Sequence, residues 1–292
     1  MKLITFTESA STRVGLLDGD EIVDLQAAAG DAPSEMTAFL EAGEAALAVA
    51  RAALEAGGAR LALGDVRLES PVLRPPKILA VGLNYADHVA ESGMDTPKHP
   101  MIFNKQSTAV HAPYEPFHLP RVSPALDYEG ELAFVIGKRC RHVPRERATE
   151  VIAGYTICND VSVRDWQLRV PTFTMGKSFD THCPLGPAIV TPDEIPDPHS
   201  LDLRTWVNGE PRQSSNTKHL IFDCFTLVEH LSTAFSLEPG DVISTGTPSG
   251  VGAVMKPPKF LKAGDVVKIA IDRLGEIENA VIEEPESTTR IG

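Results

Sequence analysis

Glycine or proline falls at 45 of the 292 positions of this chain, 22 Gly and 23 Pro, and that punctuation constrains the fold first. It interrupts long helices and suits many short strands joined by turns. Hydrophobic residues make up 42% of the chain, enough to build one large domain or two modest ones, so intrinsic disorder is excluded as the main state. With 40 acidic residues against 27 basic ones, the net charge is −13. A chain of that sign is a poor partner for nucleic acid or for an anionic membrane surface.

The hydrophobic pattern divides the chain. Short strands are predicted at 2–6, 12–17 and 21–25, the last two joined by the hairpin turn Asp18, Gly19 and Asp20. From Ser34 to Ala56 the period changes: Leu40, Leu47 and Leu54 recur among alanines, and Gly57 and Gly58 stop a helix capped near Asp31 or Ser34. Pro71, Pro75 and Pro76 then disfavour any continuous element. The boundary is therefore placed here, with a small α+β domain over 1–72 and a larger domain over 73–292. Strands in the latter are predicted at 77–81, 130–136, 153–158, 188–190, 203–207, 241–244, 266–271 and 276–282, and helices at 145–151 and 223–237, with a polar, frayed tail over 283–292.

No apolar run has the length of a signal peptide's core or of a membrane span. Cys140, Cys158, Cys183 and Cys224 are irregularly spaced without a C-x-x-C, a pattern of neither a disulfide framework nor a zinc ribbon. A cytoplasmic protein is expected.

The chemistry starts at Leu126 to Ile136. Residues two apart in a strand share a face, so Glu129 and Glu131 project together and repel. A divalent cation with oxygen ligands offsets that repulsion best if the face is buried; a solvated face needs no ion. A second apolar run, Gly154 to Cys158, ends in Asn159 and Asp160. Three carboxylates from two neighbouring strands make a hard oxygen site of the kind Mg²⁺ prefers, and no His or Cys stands among them in a zinc spacing.

Further on each side, His88 and Glu91 lie three apart, on one face of any helical turn, where the carboxylate can orient the imidazole as a base; a surface His-Glu pair reads the same way. Lys177 sits beside Gly176, placed to meet a carboxylate or a developing oxyanion. The run Ile243 to Gly252 has the small residues of an anion-binding loop but lacks the ending of a P-loop. Arg164, Asp165 and Gln167 follow the Asp160 strand as substrate contacts or as a surface ion pair.

Seven stretches in order, Gly82 to Glu91, Asp127 to Leu132, Gly154 to Asp160, Arg164 to Gln167, Gly176 to Asp180, Val207 to Glu210 and Thr245 to Gly250, together resemble the fumarylacetoacetate hydrolase family. The resemblance runs from Lys77 to Ile282. It implies an α+β fold whose C-terminal domain is built of layered, rolled mixed β-sheets beside a small N-terminal α+β domain, usually paired as a homodimer. It further implies that Glu129, Glu131 and Asp160 ligate Mg²⁺ or Mn²⁺, that His88 and Glu91 activate water, that Tyr85, Arg164, Gln167 and Lys177 contact the substrate, and that Thr247 holds the substrate's carboxylate. Lys177 is also assigned the oxyanion. A polar segment over 85–97 containing Gly93 is expected to be a mobile loop that brings the dyad into place.

The function this implies is metal-dependent hydrolysis of a carbon-carbon bond in a 2,4-diketo acid or acylpyruvate, giving pyruvate or a related 2-oxo acid and a carboxylic acid. Oxaloacetate decarboxylation, or isomerisation or hydration of an unsaturated 2-oxo diacid, is the alternative on the same site. A non-catalytic protein that binds a metal and a small organic acid is the reading from another class.

Overall fold

The computed structural model describes residues 1–93 and 95–291; Met94, within the expected mobile loop, and Gly292, at the end of the expected frayed tail, lie outside the described residues. Its centre is the strand Gly130–Ile136, every residue of which is buried. A strand covered on both faces reads as a nearly continuous apolar run, as Leu132 to Ile136 does. On one side it pairs antiparallel with Ile152–Asn159, on the other with Val242–Ser244. Outward from Val242–Ser244 the sheet continues through Ile78–Gly82 to Met101–Lys105.

In the other direction the sheet crosses the expected domain boundary. Ile152–Asn159 pairs with Cys183–Val190, which pairs with the first strand of the chain, Lys2–Glu8, with Leu3 opposite Ile189. Ser11–Asp18, Glu21–Asp24 and Arg60–Ala62 complete that edge. A second sheet of five strands, including Asp202–Val207, Val266–Ile271 and Gly275–Glu283, lies against the first. Leu132, Phe134, Ile157, Leu203, Ile269 and Ile277 fill the space between them. Mixed sheets in layers with short helices outside make the fold α+β.

Several elements differ from the sequence expectation for local reasons. The helix expected over 34–56 is two, Met36–Glu41 and Glu44–Glu55, broken at Gly43 with φ 61°. Neither Asp31 nor Ser34 caps it; Glu35 stands at the N-cap without a side-chain bond. Instead Asp24 ends its strand and accepts from the Ala27 N–H, starting the turn Leu25–Ala28. Pro184 and Pro187 hid the first five residues of Cys183–Val190. The helix expected at 145–151 is a 3₁₀ stretch, Arg145–Glu150, whereas Cys224–Ala234 is α-helical and capped by Asp223. Among the described residues no helix is long and apolar enough to cross a membrane. Within the expected mobile loop, Ala86–Ser92 is an α-helix that ends at Gly93 in the left-handed region, φ 69°.

Candidate active site

The register of the two central strands assembles the carboxylates. Gly130 pairs with Asn159, the Asp160 N–H donates to the Glu129 carbonyl at 2.9 Å, and the Glu129 N–H donates to Asn159 Oδ1 at 3.1 Å. Glu129, Glu131 and Asp160 thereby come together with one oxygen from each inside 4.8 Å of the others. All three are buried. Burial first, and the Asp160 and Glu129 charges next, push the Glu131 carboxyl well above its usual range. A set of hard, buried, mutually repelling oxygens fits a divalent cation of the Mg²⁺ or Mn²⁺ type.

Three cations brace the set. Lys177 Nζ bridges Glu129 Oε2 at 2.7 Å and Asp160 Oδ2 at 2.8 Å. Arg164 reaches Asp127 Oδ2 at 2.8 Å and Glu129 Oε1 at 2.6 Å. Although burial opposes the charge on Glu129, these two cations hold its carboxyl below the ordinary range. The third is Lys105, which the sequence reading did not select. Its fully buried ammonium lies 2.6 Å from Asp160 Oδ1 and donates to the Val161 and Lys177 carbonyls. Burial pulls its pKa down most, but the charge and hydrogen bond of Asp160, together with the neighbouring Cys183 and Cys158, more than offset this and the ammonium ends above its ordinary value. The only sequence signal was a lysine two residues from Phe103, on the inward face of a short strand.

The loop read as anion-binding does bind anions, and they belong to the protein. Ser244 Oγ and the Gly246 N–H donate to Glu131 Oε2 at 2.6 and 2.8 Å. Both Glu91 oxygens accept from the Gly250 N–H, at 3.0 and 3.1 Å. Asp127 accepts from the N–H groups of Gly252 and Ala253 at 2.8 and 3.0 Å. One loop therefore fixes a candidate metal ligand, the acid of the dyad and the partner of Arg164. Gly250 is required in this loop, since it has φ 104° and a Cβ there would sit 2.0 Å from the Arg212 carbonyl oxygen.

The dyad is assembled on the helix Ala86–Ser92, with His88 Nδ1 at 3.1 Å from Glu91 Oε1. His88 and two of the three carboxylates, Glu129 and Glu131, line one cavity of about 380 Å³, together with Arg164, Gln167 and Lys177. Gln167 Oε1 accepts from Arg164 Nη1 at 3.0 Å, which leaves its amide nitrogen as the donor for a ligand. Thr247 lines the cavity too, but its hydroxyl donates to the Gly130 carbonyl and accepts from Gln213 Nε2. With its hydrogen committed, that side chain has no donor left for a carboxylate. Tyr85 is fully buried and is not among the cavity-lining residues; it pairs with Leu220 behind the site.

Lys177 and Gln167 reach the same cavity because two one-turn helices, Arg164–Gln167 and Thr174–Lys177, touch at Gly176. A Cβ on Gly176 would stand 2.2 Å from the Gln167 backbone nitrogen. Gly176→Ala is expected to force the two turns apart at a cost of about 1–3 kcal/mol. It should lower the melting temperature and weaken ligand binding together; an unchanged melting curve would contradict this packing.

Comparison with known proteins places the fold in one group. The model of the fumarylacetoacetate (FAA) hydrolase C-terminal domain matches residues 77–282, a span that holds every residue of the carboxylate cluster and the dyad. The chain belongs to the fumarylacetoacetate hydrolase family. A relative from Xenopus laevis, named oxaloacetate tautomerase fahd2, mitochondrial, is 46% identical over 288 residues, covering 97% of this chain and 90% of that protein. The structure of fumarylacetoacetate hydrolase from psychrophilic Exiguobacterium antarcticum superposes with a TM-score of 0.85 at 37% identity, covering 97% of this chain and all of that one. Maleylpyruvate hydrolase from Sphingobium sp. SYK-6, solved with manganese(II) and pyruvate, gives a TM-score of 0.82 at 36% identity, covering 98% of this chain and all of that one. The family comprises metal-dependent catalysts on small oxo acids, and this chain shares their fold and an acidic triad suited to a divalent ion.

Proposed function

We propose that this chain is a Mg²⁺- or Mn²⁺-dependent hydrolase of a carbon-carbon bond in acylpyruvates or other 2,4-dioxo acids. The observation that carries this reading is the His88–Glu91 dyad, already hydrogen-bonded, with His88 lining the same cavity as two of the carboxylates that suit the ion. Glu129, Glu131 and Asp160 would hold the ion. When bound, it supplies a Lewis acid that chelates a 2-oxo acid and stabilises its enolate form.

The chain's own residues divide the remaining work. Glu91, held by the Gly250 N–H, accepts from His88 Nδ1 and so leaves Nε2 as the basic nitrogen. That nitrogen takes a proton from water, whose oxygen adds to the C4 carbonyl. Lys177 and the amide of Gln167 face the oxygen that becomes anionic. The C3–C4 bond then breaks, the acyl group leaves as a carboxylic acid, and His88 returns the proton to C3, giving pyruvate or a related 2-oxo acid. Homodimeric assembly is taken from the family resemblance, and light scattering measures it.

A second reading, keto-enol tautomerisation of a 2-oxo acid such as oxaloacetate, is favoured by the name of the Xenopus laevis relative. It needs the same base and no water. The two separate in one assay: hydrolysis removes the enol absorbance and releases pyruvate and acid, whereas tautomerisation removes the absorbance and releases neither. His88→Ala is expected to lower turnover by roughly 100-fold or more with Mn²⁺ binding unchanged by calorimetry. Full activity in that variant would remove the dyad from the mechanism.

A further inference from the structure

Beyond its charged floor, the cavity is walled by Leu83, Phe103, Leu168, Phe173, Val251 and Val254. Among its described lining residues the only permanent cations are Arg164 and Lys177, and both are held by the protein's own carboxylates. Among the described lining residues, no free cation remains to receive a second carboxylate.

The charge balance agrees. Asp127, Glu129 and Asp160 pair with Lys105, Arg164 and Lys177, and Glu131 adds a fourth carboxylate, so with all four ionised around a divalent ion the cluster carries a single net positive charge. One substrate carboxylate neutralises that; a second, against an apolar wall, would be desolvated without a partner. The backbone supplies an independent observation. Leu83 and Phe173 are two of the few non-glycine residues with positive φ, 53° and 62°, a strained conformation for bulky side chains. Both line this wall. Phe173 also meets Phe103 edge to face with ring centroids 6.0 Å apart, which sets the position of both rings. Leu168, 75% exposed, carries the apolar surface out to the mouth.

We infer that the distal part of the substrate is an uncharged, apolar chain: the site takes 2,4-dioxo acids with one carboxylate and an aliphatic acyl tail lying along Leu83, Phe103 and Phe173, and discriminates against dicarboxylic acids. This rests on the first proposed reading, a metal-chelated acylpyruvate in the cavity, and it counts against oxaloacetate, a dicarboxylic acid, as the substrate.

Calorimetric titration of the full-length, Mn²⁺-loaded protein with pyruvate, 2-oxohexanoate and 2-oxoadipate tests it without relying on turnover. 2-Oxohexanoate should bind more tightly than pyruvate by roughly fourfold per added methylene, and 2-oxoadipate at least about tenfold more weakly than 2-oxohexanoate. Phe173→Arg, checked for folding by its melting curve, should reverse the order of the last two. Equal or tighter binding of 2-oxoadipate by the unaltered protein overturns the inference and leaves the proposed reaction standing. Binding of none of the three acids overturns the reading beneath it as well. Tail-dependent binding without hydrolysis of any acylpyruvate supports the inference and removes the hydrolase reading.

Discussion

Glu131→Gln is expected to raise the melting temperature of the metal-free protein while abolishing its response to Mn²⁺. In the metal-free fold the Glu131 carboxyl is pushed above its usual range by burial and by the Asp160 and Glu129 charges. The folded state therefore keeps a proton that the unfolded chain gives up near its ordinary value of 4.5. Stability of the metal-free protein falls as pH rises from that value through the elevated one. Glutamine carries no charge to repel, and its carbonyl oxygen can keep the donors Ser244 Oγ and Gly246 N–H. The metal, by contrast, needs the carboxylate, so the rise in melting temperature that Mn²⁺ produces in the unaltered protein should grow with pH. In the variant, metal affinity should fall by more than about 100-fold. Scanning calorimetry with EDTA and with Mn²⁺, from about pH 5 to 8, reads both effects. A lower melting temperature for Glu131→Gln in EDTA would mean that the carboxylate is not under strain.

What could be seen in the sequence follows from which interactions are local. The strand Gly130–Ile136 was legible because a strand buried on both faces must be apolar throughout, and Glu129 and Glu131 stood out against it. His88 and Glu91 were legible as a pair because both lie within one helical turn. That this turn is a formed helix, held by Glu91 on the Gly250 N–H, depends on a contact 159 positions away and has no local sign. Asp127, Gln213 and Lys105 were passed over for the same reason. Each acts through a distant partner: Asp127 on Arg164 and the loop at Gly252, Gln213 on Gly130 and Thr247, Lys105 on Asp160. The loop from Ser244 to Ala253 shows the limit from the other side. Its composition declared that it would bind anions, but only the fold could show that the anions are the protein's own side chains.

Lys105→Met should give the largest loss of stability and the opposite response to metal. Lys105 and Asp160 have side chains with no solvent exposure and form a direct ion pair at 2.6 Å. Removing the lysine leaves Asp160 Oδ1 and the carbonyls of Val161 and Lys177 without that donor, with only Lys177 still on Asp160 Oδ2, and taking one partner from a buried ion pair costs about 3–5 kcal/mol. For a chain of this size that corresponds to a melting temperature lower by roughly 5–8 °C. Lys105→Arg should not restore it, because the wider guanidinium fork does not fit a fully enclosed site shaped for a point charge. A purely structural lysine would leave the metal response unchanged. If Lys105 instead supplies counter-charge to Asp160, the divalent ion takes over part of that task. The Mn²⁺-induced rise in melting temperature should then be larger in Lys105→Met than in the unaltered protein, whereas in Glu131→Gln it is absent. A smaller rise in Lys105→Met would show that Asp160 had left the cluster, and that the lysine holds the ligand's position rather than balancing its charge.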